Sequence, residues 1–81
     1  MKARVFVSLK KSVLDPQGKT IHRSLQNLGY ENVKDVRQGK VFEIDLNNHL
    51  SPEDARHEIE QMAQSVLANP IIEQYSYEIE G

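Results

Sequence analysis

Val33-Lys34-Asp35-Val36-Arg37-Gln38-Gly39-Lys40-Val41-Phe42-Glu43-Ile44-Asp45-Leu46 is the stretch on which the fold of this 81-residue chain turns. Its later part alternates, with Phe42, Ile44 and Leu46 on one side of an extended chain and Val41, Glu43 and Asp45 on the other. The run is interrupted at Gln38-Gly39, where glycine permits a tight turn or a bulge. Two strands joined as a hairpin are expected here.

Upstream, Ala3 to Lys10 also alternates, with Val5, Val7 and Leu9 facing one way and Arg4, Phe6 and Ser8 the other, which describes a half-buried strand. Asp15-Pro16 then opens a helix, Asp15 as N-cap and Pro16 at the first helical position. Ile21, Leu25 and Leu28 follow at helical spacing, and Gly29 supplies the left-handed residue that ends the helix. Downstream, Ser51-Pro52 starts a second helix with Glu53 and Asp54 in its first turn, where the helix dipole favours acids. Ala55, Ile59, Met62, Val66 and Leu67 form its apolar stripe, and Asn69-Pro70 stops it, because the residue before proline is pushed out of the α region. Ile71 to Ile79 is the last strand, with Tyr75, Tyr77 and Ile79 on one face.

The predicted order is β-α-β-β-α-β, one α+β domain over residues 1–81 of ferredoxin-like type, with two helices on one face of a four-stranded antiparallel sheet. The opposite face carries Phe6 and Val41 among Arg4, Ser8, Glu43 and Asp45, and is either solvated or covered by a subunit. The exposed edge strands offer a second route to pairing.

Size makes association the expected remedy for marginal stability. An unfolded chain of 9.3 kDa exposes about 13,500 Å² and a compact monomer about 5,000 Å². Burying the difference contributes roughly 125 kcal/mol, against roughly 120 for ordering the backbone and side chains. There is no cysteine to add a disulfide, and His22, His49 and His57 share no metal-ligand spacing. A further copy or another subunit remains.

Charge is split along the sequence. Residues 1–40 hold nine basic and three acidic side chains, and residues 41–81 hold Arg56 against nine acids, for a net −2. Two readings stand open: a dipolar domain that docks on an oppositely charged surface, or halves that interleave in the fold and cancel. No apolar run reaches the ~20 residues that cross a bilayer, and the N-terminus lacks a signal peptide's apolar core, which fits a cytoplasmic protein without membrane partners.

Candidate chemistry is sparse. Gly18-Lys19-Thr20 invites comparison with a phosphate-binding loop, but Val13 stands where the first glycine belongs and Pro16 lacks an amide. His57 among Glu53, Glu58 and Glu60 reads as a solvated helix face, and no serine sits in a nucleophile turn. RNA-binding modules share the predicted order, yet Gln38-Gly39-Lys40-Val41-Phe42 does not match their glycine-aromatic string, and the acidic half repels phosphate, so no nucleic acid is expected. A small-ligand-binding regulatory module of the same topology is an alternative. Gly18 stands out, because a glycine in a first helical turn costs ~1 kcal/mol relative to alanine and implies close approach by another segment, a subunit or a ligand.

Four strings remain: Val7-Ser8-Leu9-Lys10, Val13-Leu14-Asp15-Pro16-Gln17-Gly18, Asp35-Val36-Arg37-Gln38-Gly39-Lys40, and Leu67-Ala68-Asn69-Pro70-Ile71-Ile72-Glu73 with Tyr75. Across almost the whole chain they resemble the PurS family, the small subunit of phosphoribosylformylglycinamidine (FGAM) synthase. The resemblance implies a non-catalytic assembly subunit in purine biosynthesis, a homodimer or higher homo-oligomer that bridges a PurL-type synthetase subunit and a PurQ-type glutaminase subunit. It leaves open a part in passing ammonia between them. ATP, Mg and glutamine would be used by the complex, with no cofactor, metal or catalytic residue on this chain. By position, Lys10, Asp15, Pro16, Gln17, Gly18, Arg37, Gly39, Lys40, Asn69 and Pro70 match the family's strings. Asp15, Pro16, Asn69 and Pro70 have structural jobs in the local reading. Lys10, Gln17, Gly18, Arg37, Gly39 and Lys40 are the candidate partner contacts.

Overall fold

A computed structural model describes residues 1–80. The first strand, β1 (Lys2–Leu9), is central, with β2 (Gly39–Asp45) on one side and β3 (Glu73–Glu80) on the other, both antiparallel to it. The register sets Ala3 between Ile44 and Ile79 and Val5 between Phe42 and Tyr77. Alternation does the rest: Ala3, Val5 and Val7 are buried on one face, flanked by half-buried Phe42, Ile44, Tyr75, Tyr77 and Ile79. On the opposite face Phe6 lies across from Val41, and Arg4 forms ion pairs of 3.4 and 3.2 Å with Glu78 and Glu80.

The buried face is covered by α2 (Pro52–Met62), which starts as expected: the Ser51 hydroxyl accepts from the Asp54 amide at 3.1 Å. Ala55 and Ile59 point into the core. The stripe then departs from the expected one, because residues 63–67 form a π-helical turn in which the Ala68 amide donates to the Ala63 carbonyl at 2.9 Å. The extra residue per turn rotates the helix surface. Ala63 and Ala68 are buried, while Val66 is 80% exposed and Leu67 only half-buried. Asn69-Pro70 still marks the turn into β3, with the Asn69 carbonyl accepting from the amides of Ile72 and Glu73.

Two expectations for the first half of the chain are corrected. Helix α1 (Pro16–Asn27) forms with Asp15 as N-cap, and Gly29 ends it at φ 98°. It does not lie on the sheet beside α2. Gly18 is its one buried residue; Ile21 is 40% exposed and Leu28 75% exposed. The chain is accordingly long, 51 × 25 × 14 Å with a radius of gyration of 16.1 Å, against about 12 Å for a compact domain of this length.

The second correction is that the sheet has three strands among the described residues, not four. Val33–Gln38 has no regular secondary structure and joins no ladder, so no hairpin forms at Gln38-Gly39. A two-residue hairpin turn requires positive φ, and Gly29 is the one such residue described. The chain passes through Gln38-Gly39 straight into β2. Residues 10–38 therefore form an arm, in which α1 leads outward and Val33–Gln38 returns alongside it.

Candidate functional site

The base of the arm lies at the end of the sheet where β1 leaves and β2 and β3 enter. Asp15 organises it. One carboxylate oxygen caps α1 by accepting from the Gly18 amide at 3.0 Å, and the other accepts from the Gln38 amide at 2.8 Å. The sequence reading foresaw the first bond; the second, 23 residues away, carries no local signal. Buried yet doubly hydrogen-bonded, the carboxyl is held below its ordinary value, first by the Gln38 amide, then by that of Gly18, with the Arg37 charge adding to them.

Arg37 closes the knot from the other side. Its guanidinium donates to the carbonyls of Lys10 and Val13, each at 2.9 Å, with Leu9 further off at 3.4 Å. The Lys10 and Val13 carbonyls belong to the loop leaving β1, so Arg37 ties the returning segment to the outgoing one. All of these contacts are made by one terminal nitrogen, Nη2, whose two N–H groups serve the Lys10 and Val13 carbonyls, and its positive charge strengthens both bonds.

Gly18 is explained by the same knot. A Cβ there would lie 2.2 Å from the Val36 carbonyl oxygen and 2.7 Å from an Asp15 carboxylate oxygen, so another segment of this chain makes the close approach. Four residues on, a ring nitrogen of His22 meets the Val33 carbonyl at 2.8 Å, which keeps the return strand against α1. Gly39 faces β1 so closely that a Cβ would fall 2.7 Å from the Val7 carbonyl oxygen.

The remaining candidates gather around this knot. The Lys10 amide donates to the Ile72 carbonyl at 2.9 Å. Asn69 orders the neighbouring turn: its side-chain oxygen accepts from the Ile71 amide at 3.1 Å, and its own amide donates to the Glu73 carboxylate at 2.7 Å. A hollow of about 260 Å³ brings Gln17, Gly39 and Lys40 to one rim with Asp15, Gln38 and Glu73. Lys40 is exposed, its ammonium 5.5 Å from the centre of the Phe42 ring. Thus Gly18 is approached by another segment, one of the three alternatives read from the sequence, and Arg37 and Gly39 have work inside the chain that the sequence reading did not assign. Among the described residues, no cluster of three His, Cys, Asp or Glu side chains is placed to hold a metal, and no helix is long and apolar enough to cross a membrane.

Comparison with known proteins places this geometry. Residues 2–81 match the family model PurS: Phosphoribosylformylglycinamidine (FGAM) synthase. The phosphoribosylformylglycinamidine synthase subunit PurS of Bacillus subtilis is 43% identical over 79 residues, 98% of this chain and 92% of that one. The crystal structure of PurS from Methanocaldococcus jannaschii, one of the subunits of formylglycinamide ribonucleotide amidotransferase, superposes with a TM-score of 0.86 at 42% identity, covering 98% of this chain and 94% of that one. A chain of the PurLQS structure from Thermotoga maritima superposes with a TM-score of 0.79 at 29% identity, over 95% of this chain and 93% of that one.

Proposed function

The chain belongs to the PurS family, and from that premise we propose that it is the small assembly subunit of FGAM synthase in purine biosynthesis, holding a PurL-type synthetase subunit and a PurQ-type glutaminase subunit together. The observation that carries this is the match, over 95% of this chain, to a chain of the PurLQS structure from Thermotoga maritima. In this reading the chain self-associates, works in the cytoplasm and helps ammonia pass between its partners. ATP, Mg and glutamine are handled by the other subunits.

The sheet-end knot supports a positioning role. It is built of backbone amides and carbonyls held by Asp15 and Arg37, and it leaves the side chains of Lys10, Gln17 and Lys40 at the surface beside it. We assign partner contact to these three, and to Gly18, Arg37 and Gly39 the shape of the backbone that presents them. The regulatory-module alternative is not favoured, since the matches run to synthase subunits from end to end.

Reconstitution tests the proposal. Purified PurL-type and PurQ-type subunits are assayed for glutamine-dependent FGAM formation with and without this chain. The chain alone should form no product and the three together should. Equal rates with and without it would refute the proposal.

A further inference from the structure

We infer that the arm carries a binding site for a small phosphate monoester with free hydroxyl groups, in the hollow between the loop leaving β1 and the returning segment. The site stands apart from the assembly role proposed above and does not depend on it.

The hollow measures about 340 Å³, toward the lower end of the roughly 300–1,000 Å³ that small-ligand sites occupy. Lys11 and Ser12 line it from the loop, Lys19 from the first turn of α1, and Asp35 and Arg37 from the returning segment. Val13 and Val36, both half-buried, add an apolar wall. The bonds of Arg37 to the Lys10 and Val13 carbonyls and of Asp15 to the Gln38 amide fix how these segments stand to one another, so the rim is set before any ligand arrives.

Charge identifies the ligand. In the sheet the cations are matched, Lys2 with Glu43 and Arg4 with Glu78 and Glu80. Around the hollow they are not: among the described residues, Lys11, Lys19 and Arg37 have no carboxylate oxygen within 4.0 Å. Asp15 lines the same hollow, but its two oxygens already accept from the Gly18 and Gln38 amides. Lys19 also breaks a local rule, because the first turn of α1 holds no acid and a lysine there opposes the positive end of the helix dipole. Sequences depart from local rules where a site requires it. Arg37 makes its bonds through Nη2, which leaves the three N–H groups of Nε and Nη1 without an acceptor among the described residues. Two ammonium groups and one guanidinium around a single hollow suit a dianionic phosphate group, the lysines as point charges and the arginine as a planar fork.

The phosphate is held by side chains and not by a backbone cradle, since Pro16 has no amide and the Gly18 amide is already bonded to Asp15. Asp35 decides the rest of the ligand. A carboxylate repels phosphate but accepts from hydroxyls, and with the Ser12 hydroxyl beside it on the rim it suits the polyol part of an ester. Inorganic phosphate would leave that part of the rim unused.

NMR titration of the ¹⁵N-labelled full chain tests this, at low salt so that exposed charges are little screened. The probes are ribose 5-phosphate, ribose and inorganic phosphate. Ribose 5-phosphate should shift the amides of Lys11, Ser12, Lys19 and Arg37 saturably, with a Kd of about 1 mM or below and at least about threefold tighter than inorganic phosphate. Ribose should shift none of them. Lys11→Gln combined with Lys19→Gln alters two exposed side chains that form no ion pair among the described residues, so the remaining resonances should stay in place. That double variant should raise the Kd about tenfold or more. Arg56→Gln, which removes a positive charge from α2, should leave it unchanged. Absence of saturable shifts at these four amides, shifts spread over the basic residues of the whole chain, or a double variant that binds like the parent would overturn the inference. Equal affinity for inorganic phosphate would overturn the assignment of an ester. The reconstitution assay reads the synthase role independently of each result.

Discussion

Replacing Gly18 with alanine sets local propensity against tertiary packing, and the two differ in sign. In an exposed helical turn the change favours folding by about 1 kcal/mol. Here the new Cβ would stand 2.2 Å from the Val36 carbonyl oxygen, and that atom belongs to backbone. Ordinary contact begins near 3.4 Å, so the return strand must retreat by about 1 Å, carrying the Gln38 amide off its 2.8 Å bond. A part-buried amide then loses a charged acceptor, at about 1.5–3 kcal/mol, and the cap loosens by roughly 1 more. Offset by the propensity gain, the net loss is about 2 kcal/mol. With an unfolding entropy of about 2.1 cal/mol/K per residue, that lowers Tm by about 12 °C. Melting of Gly18→Ala and the parent is followed by circular dichroism at one protein concentration, since association raises Tm by mass action. An equal or higher Tm for the variant would show that Val36 yields freely and that the knot is not tight.

Other measurements probe other parts. Because Asp15 is held below its ordinary 3.8, the unfolded chain binds this proton more readily than the folded one. Its contribution is therefore complete above about pH 4 and lost as pH falls through the lower folded value, so Asp15→Asn should flatten the acid limb of a stability-against-pH curve. Ile59→Ala, at the fully buried centre of the core, should cost about 2–5 kcal/mol in urea unfolding. The Tyr77 hydroxyl donates to Glu60 at 2.6 Å and its pKa is raised chiefly by that bond, so Glu60→Gln should bring one tyrosine's ultraviolet titration to lower pH. If folded dimer unfolds to separate chains, each tenfold dilution should lower Tm by about 4 °C; a Tm independent of concentration would uncouple folding from association.

Much of this fold was legible because its signals are local. Asp15-Pro16, Gly29 and Ser51-Pro52 each mark a helix boundary through chemistry confined to a few residues, and each stands where it was expected. The alternation of residues 3–10 and 41–46 gave the correct faces, with Phe6 opposite Val41 on the outer one. Val66 was misplaced because a π-helical turn adds one residue without any compositional mark. The charge question has a divided answer: in the sheet the halves interleave, Arg4 with Glu78 and Glu80 and Lys2 with Glu43 at 3.7 Å, while the arm keeps its basic excess. Gly18 was flagged by its unfavourable position in a helix. Arg37 was not assigned its role, since nothing in a sequence says which distant carbonyls a guanidinium will find.

The hairpin is the instructive miss, because a closed hairpin and an opened one share every local signal. Alternation on both sides of Gln38-Gly39 is the same whether Val33–Gln38 folds back on β2 or leads away from it. What separates the two is the conformation at the joint, and the joint is held from outside. Asp15 grips the Gln38 amide and Arg37 grips the loop leaving β1, so the two segments at the base of the arm are tied to each other just before Gly39. Turning the chain back at Gln38-Gly39 would break both ties. The strings Val13-Leu14-Asp15-Pro16-Gln17-Gly18 and Arg37-Gln38-Gly39-Lys40 thus meet as one hinge held open, and the direction of the arm follows from it. A chain of 81 residues that keeps its first helix off its own core leaves the apolar side of that helix largely at the surface, with Leu28 75% exposed.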